Sequence, residues 1–132
     1  MRALHTMDNE AIQVLAIDDD QIILRSIARQ LRSAGFELDI ESNPENAMPR
    51  IRVTHYDVVL CDIKMKPLNG LEVLDLIRAE FPDLPVIIVS AFVDDQTVES
   101  ARKLGCKEFL FKPVKKALLI EAVIRAADGS VS

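Results

Sequence analysis

The chain has 132 residues, 49% of them apolar and 28% charged. This is ordinary for one globular domain, long enough to bury about two-thirds of its unfolded surface. Its 16 basic and 21 acidic residues leave a net charge of −5, which argues against a nucleic-acid surface. No apolar run approaches the ~20 residues that span a bilayer, and the first ten residues lack the apolar core of a signal peptide, so the cytoplasm is the expected location.

Residues 1–11 are polar and aperiodic and read as a disordered tail. Ile12 to Ile17 is a first apolar strand that stops at Asp18, Asp19 and Asp20. Ile23, Ile27 and Leu31, with Leu24 and Ala28, give a helical stripe, and Gly35 stands where a helix-ending glycine would. Phe36 to Ile40 reads as a short second strand, with Asp39 within it and Glu41 after it suggesting an edge. Asn43 and Pro44 are a cap and a first helical residue. Pro49 then falls inside that helix and is expected to kink or shorten it, at about 3 kcal/mol were the helix to stay straight.

Val58 to Cys61 is a continuous apolar run, the signature of a strand buried on both faces. It ends at Asp62, and Lys64, Lys66, Pro67, Asn69 and Gly70 read as a loop. Taken alone, Asp62 is better explained as a strand-end loop cap than as a reactive group. Leu71, Leu74, Ile77 and Phe81 mark a third helix, stopped by Pro82 and Pro85. Val86 to Val89 is a fourth strand ending at Ser90. The helix from Asp94 to Leu104 carries only a thin stripe, Val98, Ala101 and Leu104, and so little burial. Glu108 to Phe111 is a fifth strand ending at Lys112 and Pro113, and a last helix runs from about Val114 to Ala127, with Leu118, Leu119, Ala122, Val123 and Ala126 inward. Residues 128–132 read as a tail. Cys61 and Cys106 form no pair at metal or redox spacing, and His5 and His55 make no metal site.

Five strands alternating with five helices is the pattern of a doubly wound α/β fold, a parallel sheet covered on both faces. Right-handed crossovers put every strand's C-terminal end at one edge of the sheet, where such folds bind ligands. That edge gathers Asp18 and Asp19 from strand one, Asp62 from strand three, Ser90 from strand four and Lys112 from strand five. Each has a bland reading as a cap or surface residue, but five such residues at one mouth point to a single site. Clustered carboxylates call for a cation, and a set of oxygen ligands favours Mg²⁺ over Zn²⁺. A lysine and a hydroxyl can hold a phosphoryl group, and a carboxylate can attack phosphorus to give an acyl phosphate.

The sequence resembles the receiver domain of two-component response regulators over residues 12–127. The likeness is carried by Val14 to Asp20, Asp57 to Asp62 with Met65 and Gly70, Val86 to Ala91, and Gly105 to Pro113. It implies a flavodoxin-like sheet in the order 2-1-3-4-5 and a phospho-acceptor at Asp62. It also implies a Mg²⁺ pocket of Asp18 and Asp19, with Asp19, Asp62 and the Lys64 backbone carbonyl as direct ligands and Asp20 as no ligand. Ser90 matches the switch hydroxyl, Phe109 the switch aromatic, and Lys112 the phosphate-binding lysine, followed by a cis bond to Pro113. Implied partners are a histidine kinase or histidine phosphotransfer protein, an output partner or domain, and a second copy through the face of helix four, strand five and helix five. Neither DNA nor membrane contact is implied.

Two departures stand out. Lys66 replaces the proline that usually follows the loop methionine, and Pro67 comes after it. In that family the residues two after the phospho-acceptor and two after the switch hydroxyl tune water attack. Here these are Lys64 and Phe92, a cation and a bulky apolar group, which predict a long-lived phosphoryl group. The alternative reading of Lys64 is a solvated loop residue. The competing expectations are a Mg²⁺-dependent aspartyl phosphohydrolase, whose Asp-x-Asp-x-Thr pattern is missing here, and a phosphate-independent pseudo-receiver scaffold.

Overall fold

The structure, a computed structural model, describes residues 11–91 and 94–128. The tails read at 1–11 and 128–132 lie outside the described residues except for Ala11 and Asp128, and Asp128 caps the last helix by donating its N–H to Ile124 O at 3.0 Å. The chain runs β1 (Gln13–Ile17), α1 (Gln21–Ser33), β2 (Glu37–Glu41), α2 (Ala47–Val53), β3 (Val58–Cys61), α3 (Gly70–Glu80), β4 (Val86–Ser90), α4 (Asp95–Lys103), β5 (Glu108–Phe111) and α5 (Lys116–Ala127). The strands form one parallel sheet in the order β2-β1-β3-β4-β5. This is the doubly wound order the resemblance implies.

Alternation along the strands explains the two layers, because successive side chains point to opposite faces. Val14, Ala16, Val58, Leu60, Ile87 and Val89 meet Leu24, Ala28 and Leu31 of α1 and Leu119, Ala122, Val123 and Ala126 of α5. Leu15, Ile17, Val59, Cys61, Val86 and Ile88 meet α2, α3 and α4 through Met48, Ile51, Val73, Leu74, Ile77 and Ala101. Each large side chain so buried contributes about 1.5–3 kcal/mol, and β1, β3 and β4 carry most of it because both their faces are covered.

Four local readings change. Leu118 faces solvent, 53% exposed, while its neighbour Leu119 is 2% exposed; α5 begins at Lys116, and in that frame Leu119, Ala122, Val123 and Ala126 form the inward stripe. Ile23 and Ile27 are only half-buried, and α1 is anchored by Leu24, Ala28 and Leu31. The stretch begun by Asn43 splits into a 3₁₀ turn, Pro44–Asn46, and then α2. Pro49 thereby falls in the first turn of α2, where a missing N–H has no intrahelical partner to lose. On α4 only Ala101 is buried.

Gly35 and Gly105 have φ of +97° and +92° and close α1 and α4 in the same way. The residue after each glycine donates back across the last turn, Phe36 N–H to Leu31 O and Cys106 N–H to Ala101 O, at 3.1 and 3.0 Å. This double-bonded C-terminal turn needs a residue in the left-handed region.

Candidate functional site

Three of the site residues are the first residue beyond a strand, and their N–H groups still reach the neighbouring strand. Asp18 N–H donates to Glu41 O of β2 at 3.2 Å, Asp62 N–H to Ile17 O of β1 at 3.0 Å, and Lys112 N–H to Ser90 O of β4 at 3.0 Å. The sheet ladder thus fixes the main chain of each, while the side chains emerge at the common edge. Ser90, the last residue of β4, is 1% exposed there. Asp18, Asp19, Asp62, Ser90 and Lys112 come together as the sequence predicts.

Asp18 is 3% and Asp62 8% exposed, while Asp19 is exposed. One carboxylate oxygen from each lies within 4.8 Å of the other two. Lys112 Nζ bridges the buried pair, 2.7 Å from Asp18 Oδ2 and 3.6 Å from Asp62 Oδ2. Asp18 is fully engaged, because its Oδ1 accepts the Asp20 N–H at 2.9 Å. Asp20 turns outward as the cap of α1, accepting from Ile22 N–H and Ile23 N–H at 2.9 and 3.3 Å. That is a helix-cap role.

Asp62 Oδ1 accepts the Ile63 N–H at 2.8 Å. Burial pushes the Asp62 carboxyl above the usual carboxylate range, and the Asp18 charge adds to it. Lys112, the Ile63 N–H and the Ser90 hydroxyl pull the other way without cancelling it. Directly beneath, the Cys61 thiol donates to Asp62 O at 3.3 Å. Its burial, with the Asp62 and Asp18 charges, raises its pKa and keeps it protonated, so it packs as a small hydrophobe.

The cluster suits a hard cation. Mg²⁺ takes oxygen ligands at about 2.0–2.1 Å, which places opposite ligands about 4 Å apart, so oxygens within 4.8 Å need only a small closure. Asp18, Asp19 and Asp62 could each offer an oxygen to such an ion, and the resemblance implies Asp19 and Asp62 as the direct ligands. Beside them Asp62, Lys64, Ser90, Ala91 and Lys112 line a concavity of 290 Å³. That volume lies at the lower limit of sites for cofactor-sized ligands and is large enough to admit a phosphoryl group with water.

Phe109 is half-buried against the α2–α4 layer, its ring centroid 5.2 Å from that of Phe111, which is 47% exposed. Lys64 is exposed at the rim of the concavity. Phe92 lies outside the described residues. The bond from Lys112 to Pro113 is cis, as the resemblance implies, and so is that from Lys66 to Pro67, which sequence reasoning did not foresee. It also missed the packing of Gly70 against the Asp62 main chain. The only trace in the sequence is a glycine eight residues after the acid.

The response regulator receiver domain family matches residues 14–124. Transcriptional regulatory protein ZraR of Klebsiella oxytoca is 32% identical over 108 residues, 82% of this chain and 24% of ZraR. The chain thus spans about a quarter of that relative's length. A response regulator receiver domain protein of Clostridium thermocellum superposes with a TM-score of 0.85 at 30% identity, covering 91% of this chain and 97% of that one. A CheY-like receiver domain protein from Methanospirillum hungatei JF-1 gives a TM-score of 0.88 over 92% and 98% of the two chains, and at 24% identity speaks for the fold alone. The family match, the relatives and the five strand-end residues agree: this chain belongs to the response regulator receiver domain family.

Proposed function

We propose that the chain is a signalling switch that accepts a phosphoryl group on Asp62 from a histidine kinase or histidine phosphotransfer protein. The observation that carries this reading is the buried pair Asp18 and Asp62 bridged by Lys112 beside Ser90, at a concavity of 290 Å³ that admits a phosphoryl group. A carboxylate oxygen of Asp62 forms the bond to phosphorus as the donor's phosphorus–nitrogen bond breaks, and the electron pair leaves with the imidazole. Lys112 turns from the two carboxylates to the incoming phosphoryl oxygens, and the Ser90 hydroxyl donates to one of them. Asp19, Asp62 and the Lys64 carbonyl would hold Mg²⁺, which supplies charge neutralisation at the phosphoryl oxygens.

The added charge of up to −2 draws the Ser90–Ala91 segment inward and shifts the equilibrium between two arrangements of α4, β5 and α5. α4 is the least anchored of the α-helices, since Ala101 alone is buried, and Phe109 moves into the space released. That face is the candidate surface for an output partner or a second copy. Lys64 and Phe92 set the phosphoryl lifetime. No described helix is long and apolar enough to cross a membrane, and a cytoplasmic location follows from the family's kinase partners.

The test is incubation with acetyl phosphate and Mg²⁺, read by intact mass. A gain of one phosphoryl that Asp62→Asn abolishes supports the switch. No gain with any donor favours the pseudo-receiver scaffold, and continuous turnover of small phosphorylated compounds favours the phosphohydrolase.

A further inference from the structure

Gly70 opens α3 and lies against the main chain of the residue proposed to be phosphorylated. A Cβ on Gly70 would overlap the Asp62 carbonyl oxygen, and would stand 2.8 Å from the Asp62 carbonyl carbon and 2.9 Å from Ile63 Cα. The Gly70 N–H donates to Ile63 O at 2.7 Å, closing the base of the loop formed by residues 63–69. Among the described residues the positive-φ glycines are Gly35 and Gly105, so Gly70 is needed here for close approach rather than for backbone freedom.

The two sides of this contact differ in how readily they yield. α3 is held by Val73, Leu74 and Ile77, each 1% exposed or less. Its first turn is locked by a reciprocal cap, in which Asn69 Oδ1 accepts the Glu72 N–H at 2.9 Å and Glu72 Oε1 accepts the Asn69 N–H at 2.8 Å. The Asp62 N–H is tied to Ile17 O of β1 at 3.0 Å, but the Asp62 carbonyl, which Gly70 faces, and Ile63 lie beyond the last paired residue of β3, Cys61. A side chain at position 70 therefore turns the Asp62 carbonyl about that tether before it displaces the helix, and the carboxylate turns with it.

We propose that Gly70 is a positioning residue for the phosphorylation reaction: the bare first residue of α3 sets where the Asp62 carboxylate stands relative to Lys112 and Ser90. This rests on the reading of Asp62 as the phospho-acceptor. A reacting group misplaced by about 1 Å loses on the order of 100-fold in rate, and the overlap at Gly70 calls for a displacement of that order.

The experiment compares wild type, Gly70→Ala and Gly35→Ala. Phosphoryl incorporation is followed by intact mass at limiting and saturating acetyl phosphate with Mg²⁺, and urea unfolding is measured on the same samples. Gly35→Ala removes a left-handed glycine whose added Cβ meets nothing within 4 Å, so it lowers stability and leaves the rate per folded molecule unchanged. Gly70→Ala is expected to lower the maximal rate by about 100-fold with little change in the donor concentration at half-maximal rate. A Gly70→Ala rate within twofold of wild type, or a fall matched by its unfolded fraction, overturns the proposal. Should Gly70→Ala not fold, Asn69→Ala releases the helix start while keeping the glycine; a several-fold loss of rate supports the proposal and an unchanged rate overturns it. If wild type takes no phosphoryl group, or Asp62→Asn still takes one, it is the assignment of Asp62 that fails.

Discussion

Replacing Asp62 by Asn should stabilise the metal-free protein, although it removes a group from the centre of the site. At an effective dielectric constant of about 20, the Asp18 charge within 4.8 Å repels Asp62 by at least about 3.5 kcal/mol, and Lys112 at 3.6 Å attracts it by about 4.6 kcal/mol. These nearly cancel. Asp19, exposed and therefore screened, adds a smaller repulsion, and burial of Asp62 opposes its charge outright. The balance favours the neutral side chain by about 1–3 kcal/mol, the usual scale for an imperfectly compensated buried charge. In EDTA at pH 7 the urea midpoint of Asp62→Asn is expected about 0.5–1.5 M above wild type. The folded-state pKa of Asp62 is raised above its ordinary 3.8, so the ionised carboxylate opposes folding at neutral pH. That cost vanishes as pH falls through the raised value toward ~4, and the two proteins converge there. Mg²⁺ at about 100 times its dissociation constant restores about 2.7 kcal/mol to wild type and little to the variant. An Asp62→Asn protein no more stable than wild type in EDTA would refute the reasoning.

Glu41 shows the opposite pH dependence. Burial raises its pKa, but Arg50 Nε at 2.6 Å, the Asn43 N–H at 3.0 Å and Asn46 Nδ2 at 3.2 Å outweigh it and hold the carboxyl below its ordinary 4.5. Its contribution is present above pH 4.5 and lost as pH falls through the lowered value; Glu41→Ala should cost about 2–4 kcal/mol at pH 7 in urea unfolding. Leu119→Ala should cost about 2–5 kcal/mol and Leu118→Ala less than about 0.5 kcal/mol, and equal costs would contradict the frame of α5. Lys64→Asn should shorten the phosphoryl lifetime several-fold, read by loss of label from purified phosphoprotein, and a lifetime of seconds in wild type would dispose of the tuning role.

The parallel α/β sheet and the residues at its mouth were legible because both are written in local signals, whereas the strand order came only from the family resemblance. Continuous β-branched runs gave the buried strands, and the residue at which each run broke, Asp18, Asp62, Ser90 or Lys112, was the residue delivered to the mouth. Parallel topology did the rest, since handed crossovers leave the strand ends on one edge. Less was legible where the answer depends on partners distant in sequence. Leu118 and Leu119 differ only by about 100° around α5, and which faces the sheet depends on where that helix begins. Pro49 read as a helix breaker until a 3₁₀ turn moved the helix start to Ala47. The half-burial of Phe109 depends on Phe111 and the α4 layer. The contact between Gly70 and the Asp62 carbonyl closes through a loop whose shape no periodicity reports.

The central claim is that one carboxylate, Asp62, takes the phosphoryl group. The most direct measurement is to phosphorylate the protein with acetyl phosphate and Mg²⁺, reduce the acyl phosphate with borohydride, and locate the reduced residue by peptide mass. The account predicts reduction at Asp62 alone, lost when Mg²⁺ is chelated. Reduction at Asp18, Asp19 or Asp57, or at no residue, would contradict it.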